Sequence, residues 1–74
     1  MDLVELLGRN VRTVRQARGI SQEQLAFDAD MKRSYVSDLE RGTRNPSVRA
    51  LGRIADALGV TAADLLRDAN GEPK

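Results

Sequence analysis

The side chains best placed to do chemistry in this 74-residue chain fall between Ser21 and Gly42, in SQEQLAFDADMKRSYVSDLERG. At 100° per residue along a helix, Ser34, Ser37, Asp38 and Arg41 share one side and Val36 and Leu39 the other, with Arg33 and Tyr35 on the flanks. An ordinary core helix of this length carries more than two strong apolar anchors, whereas this one carries a row of hydrogen-bonding groups. The chemistry on offer is recognition of a polar surface. Catalysis is not expected: the chain has no His and no Cys, no glycine-rich phosphate loop and no paired carboxylates in a plausible pocket. The same absences remove the commonest metal ligands, so no cofactor and no metal are expected.

Net charge is only +1, but it is unevenly spread. Residues 1–30 carry −1 and residues 54–74 carry −2. Residues 31–53 set Lys32, Arg33, Arg41, Arg44, Arg49 and Arg53 against only Asp38 and Glu40, and carry +4. Positive charge gathered around an outward-facing helix and the loop after it is the footprint of a phosphate-contacting face. A plain solvated basic surface is the alternative.

The elements that position these groups follow from caps and periodicity. Ser21 with Gln24 three residues later is a capping-box pattern, so a helix should begin at about Gln22, with Leu25, Ala26 and Ala29 inward. Asp30 and Met31 mark the turn, because a short polar side chain tolerates a left-handed backbone. The second helix of the pair runs from about Lys32 to Arg41 and stops at Gly42. Upstream, Leu3, Leu7, Val11 and Val14 form the stripe of an amphipathic helix over residues 3–18, ended by Gly19. Arg9, Arg12, Arg15 and Arg18 step round it at intervals of three and form no single patch.

Downstream, Gly42 to Pro46 is a loop and Ser47 caps a helix over residues 48–58. Its core stripe is Val48, Leu51, Ala55 and Leu58, and Ala50, Ile54 and Ala57 form a second apolar strip that calls for a partner. After Gly59, Thr61 with Asp64 is an imperfect capping box for a short fifth helix through about Arg67. Leu65 and Leu66 face different directions, so either both close the core or one joins Ile54 in a twofold interface. The expected dimer surface is Ala50, Ile54, Ala57 and Leu65. The chain therefore reads as an all-α, five-helix domain over residues 1–69, with a helix-turn-helix at about residues 22–41 and a frayed tail at 70–74.

The combination of Gln22, Leu25 and Ala26 with Val36, Leu39, Glu40 and Gly42 resembles the helix-turn-helix of the lambda-repressor-like, Cro/C1-type bacterial regulators, and the resemblance covers nearly the whole chain. Within that family, Arg33-Ser34-Tyr35-Val36-Ser37 with Glu40-Arg41 and Arg44-Asn45 is most similar to the controller proteins of restriction–modification systems. The resemblance implies a compact lambda-repressor-like DNA-binding domain whose second motif helix enters the major groove. Arg33, Ser34, Ser37 and Asp38 are then expected at the bases. The planar fork of Arg33 can bond guanine O6 and N7 together, or meet a phosphate instead; Asp38 can accept from a cytosine amine, or orient Arg33 or Arg41. Gln22, Lys32, Tyr35, Arg41, Arg44, Asn45 and Arg49 are expected on the DNA backbone, with Tyr35 sensing groove shape or simply packing with its hydroxyl in water. Arg15 and Glu40 match a structural ion pair of these domains, which suits the cost of leaving either charge unpaired at the core margin. Two positions depart from the pattern. Asp30 stands where glycine is common, and Lys32 stands where Ser, Thr or Asp usually caps the recognition helix, so the helix start either frays until DNA arrives or takes Asp30 as a shifted cap.

A domain of this length buries only about 60% of its unfolded surface, so dimerisation would stabilise it as well as double its phosphate contacts. The expected partners are double-stranded DNA and a second copy of the chain, on a palindromic operator with half-sites about one helical turn apart. No apolar run approaches the ~20 residues of a membrane span, so a cytoplasmic location is expected. With no room for a sensor domain, no small-molecule ligand is expected, and control by the protein's own concentration is the natural regime. An antitoxin-type interaction module on the same fold is the second reading, since the extra apolar strip fits a foreign partner too.

Overall fold

The described residues form five helices, four of them opened by short polar caps: α1 (Leu3–Ala17), α2 (Gln22–Asp28), α3 (Arg33–Glu40), α4 (Val48–Leu58) and α5 (Ala62–Leu65). This is the architecture of a computed structural model that describes residues 2–68, and among them there is no strand. The tail expected at 70–74 lies outside the described residues.

Asp2, Ser21, Ser47 and Thr61 each accept a hydrogen bond from a backbone N–H of the helix they precede, at 2.7–3.1 Å. The box at α5 is complete, because the Asp64 carboxylate accepts from the Thr61 N–H at 3.0 Å. The box at α2 is only half made: the Gln24 amide donates forward to Asp28 at 2.9 Å. α3 alone has no side-chain cap. Lys32 occupies that position, and Asp30 lies in the turn rather than serving as a shifted cap.

Helices α1 to α4 close with one backbone device, a pair of reversed hydrogen bonds around a left-handed residue. After α2 these bonds are Met31 N–H to the Ala26 carbonyl at 2.9 Å and Asp30 N–H to the Phe27 carbonyl at 3.2 Å. Three of the left-handed residues are glycines, Gly19, Gly42 and Gly59; the fourth is Asp30, at φ 57°. Asp30 thus performs a glycine's task within the helix-turn-helix, as its short polar side chain permits.

The core gathers Leu7, Val11, Leu25, Ala26, Ala29, Val36, Leu39, Ile54, Ala55, Leu58 and Leu65. Two features of α1 differ from the expected stripe: Leu3 is 56% exposed, and Leu6 is buried. Gly8 explains how α1 meets α3. A Cβ built on Gly8 would lie 2.2 Å from the Leu39 carbonyl oxygen, so only a glycine allows the two backbones this close.

The largest correction concerns α4. Val48, expected in the core, is 86% exposed, while Ala50 and Ile54, expected at a dimer surface, are buried. On a 100° wheel, Ala57, Ala50, Ile54, Leu58, Leu51 and Ala55 form one continuous arc of about 160°, with Ile54 near its middle. The second strip was never separate from the core stripe, because α4 packs against both α2 and α5. Leu65, also expected at the dimer surface, is fully buried. Asn10 on α1 turns it inward by donating to the carbonyls of Leu65 at 2.9 Å and Arg67 at 2.7 Å. Of the expected dimer residues, only Ala57 keeps partial exposure.

Candidate nucleic-acid interface

The outward helix α3 is held from behind by a part-buried polar network. Arg15 Nε donates to Glu40 Oε2 at 2.6 Å and its Nη2 to Oε1 at 3.0 Å, a two-pronged pairing between α1 and α3. The side chains are 12% and 4% exposed, so the pair is largely shielded from water. Arg15 Nη1 also donates to the Ile20 carbonyl at 2.9 Å, and Gln22 Nε2 donates to Glu40 Oε1 at 3.1 Å. One carboxylate therefore ties α1, the loop before α2, α2 and α3 together. Its hydrogen bond raises the Arg15 pKa above its ordinary value, against the opposing effect of burial. Gln22, expected on a phosphate, has its amide engaged in this scaffold.

Val36 and Leu39 anchor α3 inward with no exposed surface. That anchoring turns Arg33 and Ser34 fully outward, with Ser37 and Asp38 half-buried beside them. The side chains of Lys32, Arg33 and Arg49 make no hydrogen bond or ion pair among the described residues, so their charges remain available. Lys32, Asn45 and Arg49 are exposed at either end of the recognition segment.

The C-terminal half of the face is organised differently. Asp38 Oδ1 pairs with Arg41 Nη2, one turn along, and Asp38 Oδ2 lies 3.6 Å from Arg44 Nη2. The Arg44 guanidinium sits 4.6 Å over the Tyr35 ring, a cation–π contact, so half-buried Tyr35 packs against an arginine rather than standing alone. Thr43 folds back on the same turn, giving both its N–H and its hydroxyl to the Asp38 carbonyl at 3.0 Å. The structure thus joins Asp38 to Arg41 and Arg44, and does not join it to Arg33.

Taken together, a rigidly backed helix offers an unpaired arginine at its leading end, small hydroxyls along its face and a cationic edge behind. That arrangement suits a polyanion whose grooves display hydrogen-bonding edges. The helix-turn-helix family model matches residues 11–65. The chain belongs to the helix-turn-helix family. It is 50% identical over 62 residues to the control protein C.BamHI of Bacillus amyloliquefaciens, covering 82% of this chain and 76% of that protein. The helix-turn-helix chain also superposes on the restriction-modification controller protein C.AhdI from Aeromonas hydrophila with a TM-score of 0.82 at 40% identity, covering 84% of this chain and 94% of the other. A second similar structure is the restriction-modification controller protein C.Esp1396I, a tetramer in complex with its natural 35 base-pair operator. There the TM-score is 0.80 at 28% identity, over 88% of this chain and 86% of that one.

Three positioning residues of this helix-turn-helix protein escape a reading of the sequence. Gly8 belongs to no motif in the sequence, although a glycine flanked by Leu6, Leu7 and Val11 within a helical stripe is a signal of close helix packing. Asn10 carries no motif, and its partners are more than fifty positions away. Arg53 counts toward the basic middle segment, yet its Nε donates to the Ala29 carbonyl at 3.0 Å and fastens α4 to the end of α2.

Proposed function

We propose that this protein is a sequence-specific transcriptional regulator that binds double-stranded DNA as a homodimer on a palindromic operator, as a controller of the restriction–modification type. The observation that carries the reading is the outward face of α3, with Arg33 unpaired and exposed at its first turn and the Arg15–Glu40 network fixing the helix behind it. In a major groove, the first turn of such a helix meets base edges. Arg33 then reads a guanine through its two parallel donors, and Ser34 and Ser37 add short hydrogen bonds. Lys32, Asn45 and Arg49 meet phosphates, and Arg41 and Arg44 flank the groove. No step in this function calls for catalysis.

The controller class is supported by the likeness to C.BamHI and C.AhdI, and operator binding by the likeness to the C.Esp1396I complex. The antitoxin-type reading rests on a second apolar strip, of which Ala50 and Ile54 are buried within the chain, so the strip favours neither a foreign partner nor a second copy, and dimerisation is supported by the likeness to the controller proteins alone. No helix among the described residues is long and apolar enough to cross a membrane. Selection from randomised duplexes, paired with sedimentation of the free and DNA-bound protein, tests the proposal. A palindrome with half-sites about one helical turn apart and two chains per site is expected. A monomer at micromolar concentration with no enriched sequence would overturn it.

A further inference from the structure

Asp38 stands where a protein that binds phosphates gains nothing from a negative charge, and the structure gives it a specific occupation. Its two carboxylate oxygens take two different arginines, Arg41 on one side and Arg44 on the other. Arg44 is held a second time by the Tyr35 ring, and the Asp38 carbonyl receives the Thr43 N–H and hydroxyl. The segment that carries Arg44 is thereby folded back onto the end of α3. We propose that Asp38 is a specificity-determining residue: it masks and pre-positions Arg41 and Arg44, so that the two guanidiniums serve a correctly seated operator and are withheld from other DNA. The proposal rests on the DNA-binding reading above and deepens it.

The exposure of the cluster decides how it behaves. Arg41, Arg44 and Asp38 have side chains 66%, 46% and 31% exposed, so their ion pairs are weak and exchange readily with a phosphate. On non-specific DNA, attraction is mostly counterion release by accessible cations. There Asp38 cancels part of the charge of both arginines and adds its own repulsion. On the operator, the bases contacted by the first turn of α3 fix the register of the helix. The two arginines then meet phosphates in a geometry already ordered by Asp38 and Tyr35, and less side-chain freedom is lost. Removal of the carboxylate therefore strengthens wrong binding more than right binding.

The test compares wild type with Asp38→Asn on the selected operator and on a scrambled duplex, by anisotropy across a salt series. Heparin chromatography supplies a polyanion without sequence. The control Asp56→Asn makes the same charge change on the exposed side of α4, away from the cluster. For Asp38→Asn, affinity for the scrambled duplex should rise about two- to fivefold, with a salt slope steeper by about 0.9 per arginine released. Heparin elution should move to higher salt, and operator affinity should gain less than scrambled-duplex affinity, so that the ratio of operator to scrambled binding falls. These gains should exceed those of Asp56→Asn and vanish when Arg41→Gln and Arg44→Gln are added. Equal gains in Asp38→Asn and Asp56→Asn would overturn the proposal, as would a selective loss of operator affinity at one base pair, which would make Asp38 a base reader. A wild type that binds neither duplex would instead remove the DNA-binding reading, and heparin would still report whether Asp38 masks the arginines.

Discussion

Asp38 and Glu40 stand two residues apart on α3, about 200° apart around its axis, and each holds an arginine or more. Glu40 faces the core, with its side chain 4% exposed, and meets Arg15 from α1 and Gln22 from α2. Asp38 faces outward, at 31% exposure, and meets arginines only from its own helix end and the loop after it. The same carboxylate–guanidinium chemistry therefore does two jobs. Largely shielded from water, it sets the position of the recognition helix, because an unpaired partner there has little solvent to turn to. In water it is worth little to the fold and can exchange partners, which is what a contact with DNA requires.

Breaking the buried pair should have the largest effect. Glu40→Ala strands Arg15 at the core margin and should cost about 3–5 kcal/mol of unfolding free energy, read as a shift in urea midpoint. A loss below about 1 kcal/mol would mean that water reaches the pair and that the two clusters do not differ in kind. Next comes Gly8→Ala, which drives a methyl into the Leu39 carbonyl, one residue from Glu40. Alanine favours a helix by about 1 kcal/mol, so a net loss of about 1–2 kcal/mol is expected once the clash is included. An increase in stability would show that α1 and α3 have slack between them.

The outward cluster should barely register in the same assay. Asp38→Asn should change unfolding free energy by no more than about 0.5 kcal/mol, even as it changes binding to DNA. The smallest effect belongs to the cap of α5. Hydrogen bonds from Thr61 lower the Asp64 pKa from its ordinary 3.8. A carboxylate whose folded pKa lies below its unfolded one stabilises the fold above the unfolded value, and loses that contribution as pH falls through the folded one. Melting temperatures of wild type and Asp64→Asn should therefore differ near neutral pH and converge in acid below 3.8. Parallel curves at all pH values would remove the ionic contribution.

Much of this design is visible in the residues themselves. Caps and left-handed stops are local, so Ser21, Ser47, Thr61, Gly42 and Gly59 bound their helices from sequence alone. Asp30 is legible for the same reason: its φ of 57° is the conformation that a short polar residue tolerates at a turn. The outward face of α3 follows from two apolar anchors and a row of polar groups. What periodicity cannot supply is how many neighbours a helix has. Ala50, Ile54 and Leu65 look surplus to a core seen from one side, and are enclosed once α4 packs against both α2 and α5 and Asn10 draws α5 to α1. The pairing of Asp38 with Arg44 is hidden in another way, because it depends on the loop after α3 turning back on itself through Gly42 and Thr43.

In the proposed complex α3 reads base sequence, led by Arg33, with the cationic edge behind it supplying charge. The most direct test is an anisotropy titration of Arg33→Ala against wild type, at two salt concentrations, on operator duplexes carrying each base change in one half-site. The variant should lose its preference at one base pair, a discrimination of about 1–3 kcal/mol, and keep the wild-type salt slope. A uniform loss across all duplexes, with the slope shallower by about 0.9 for each Arg33 in the complex, would contradict this reading and make Arg33 a phosphate contact.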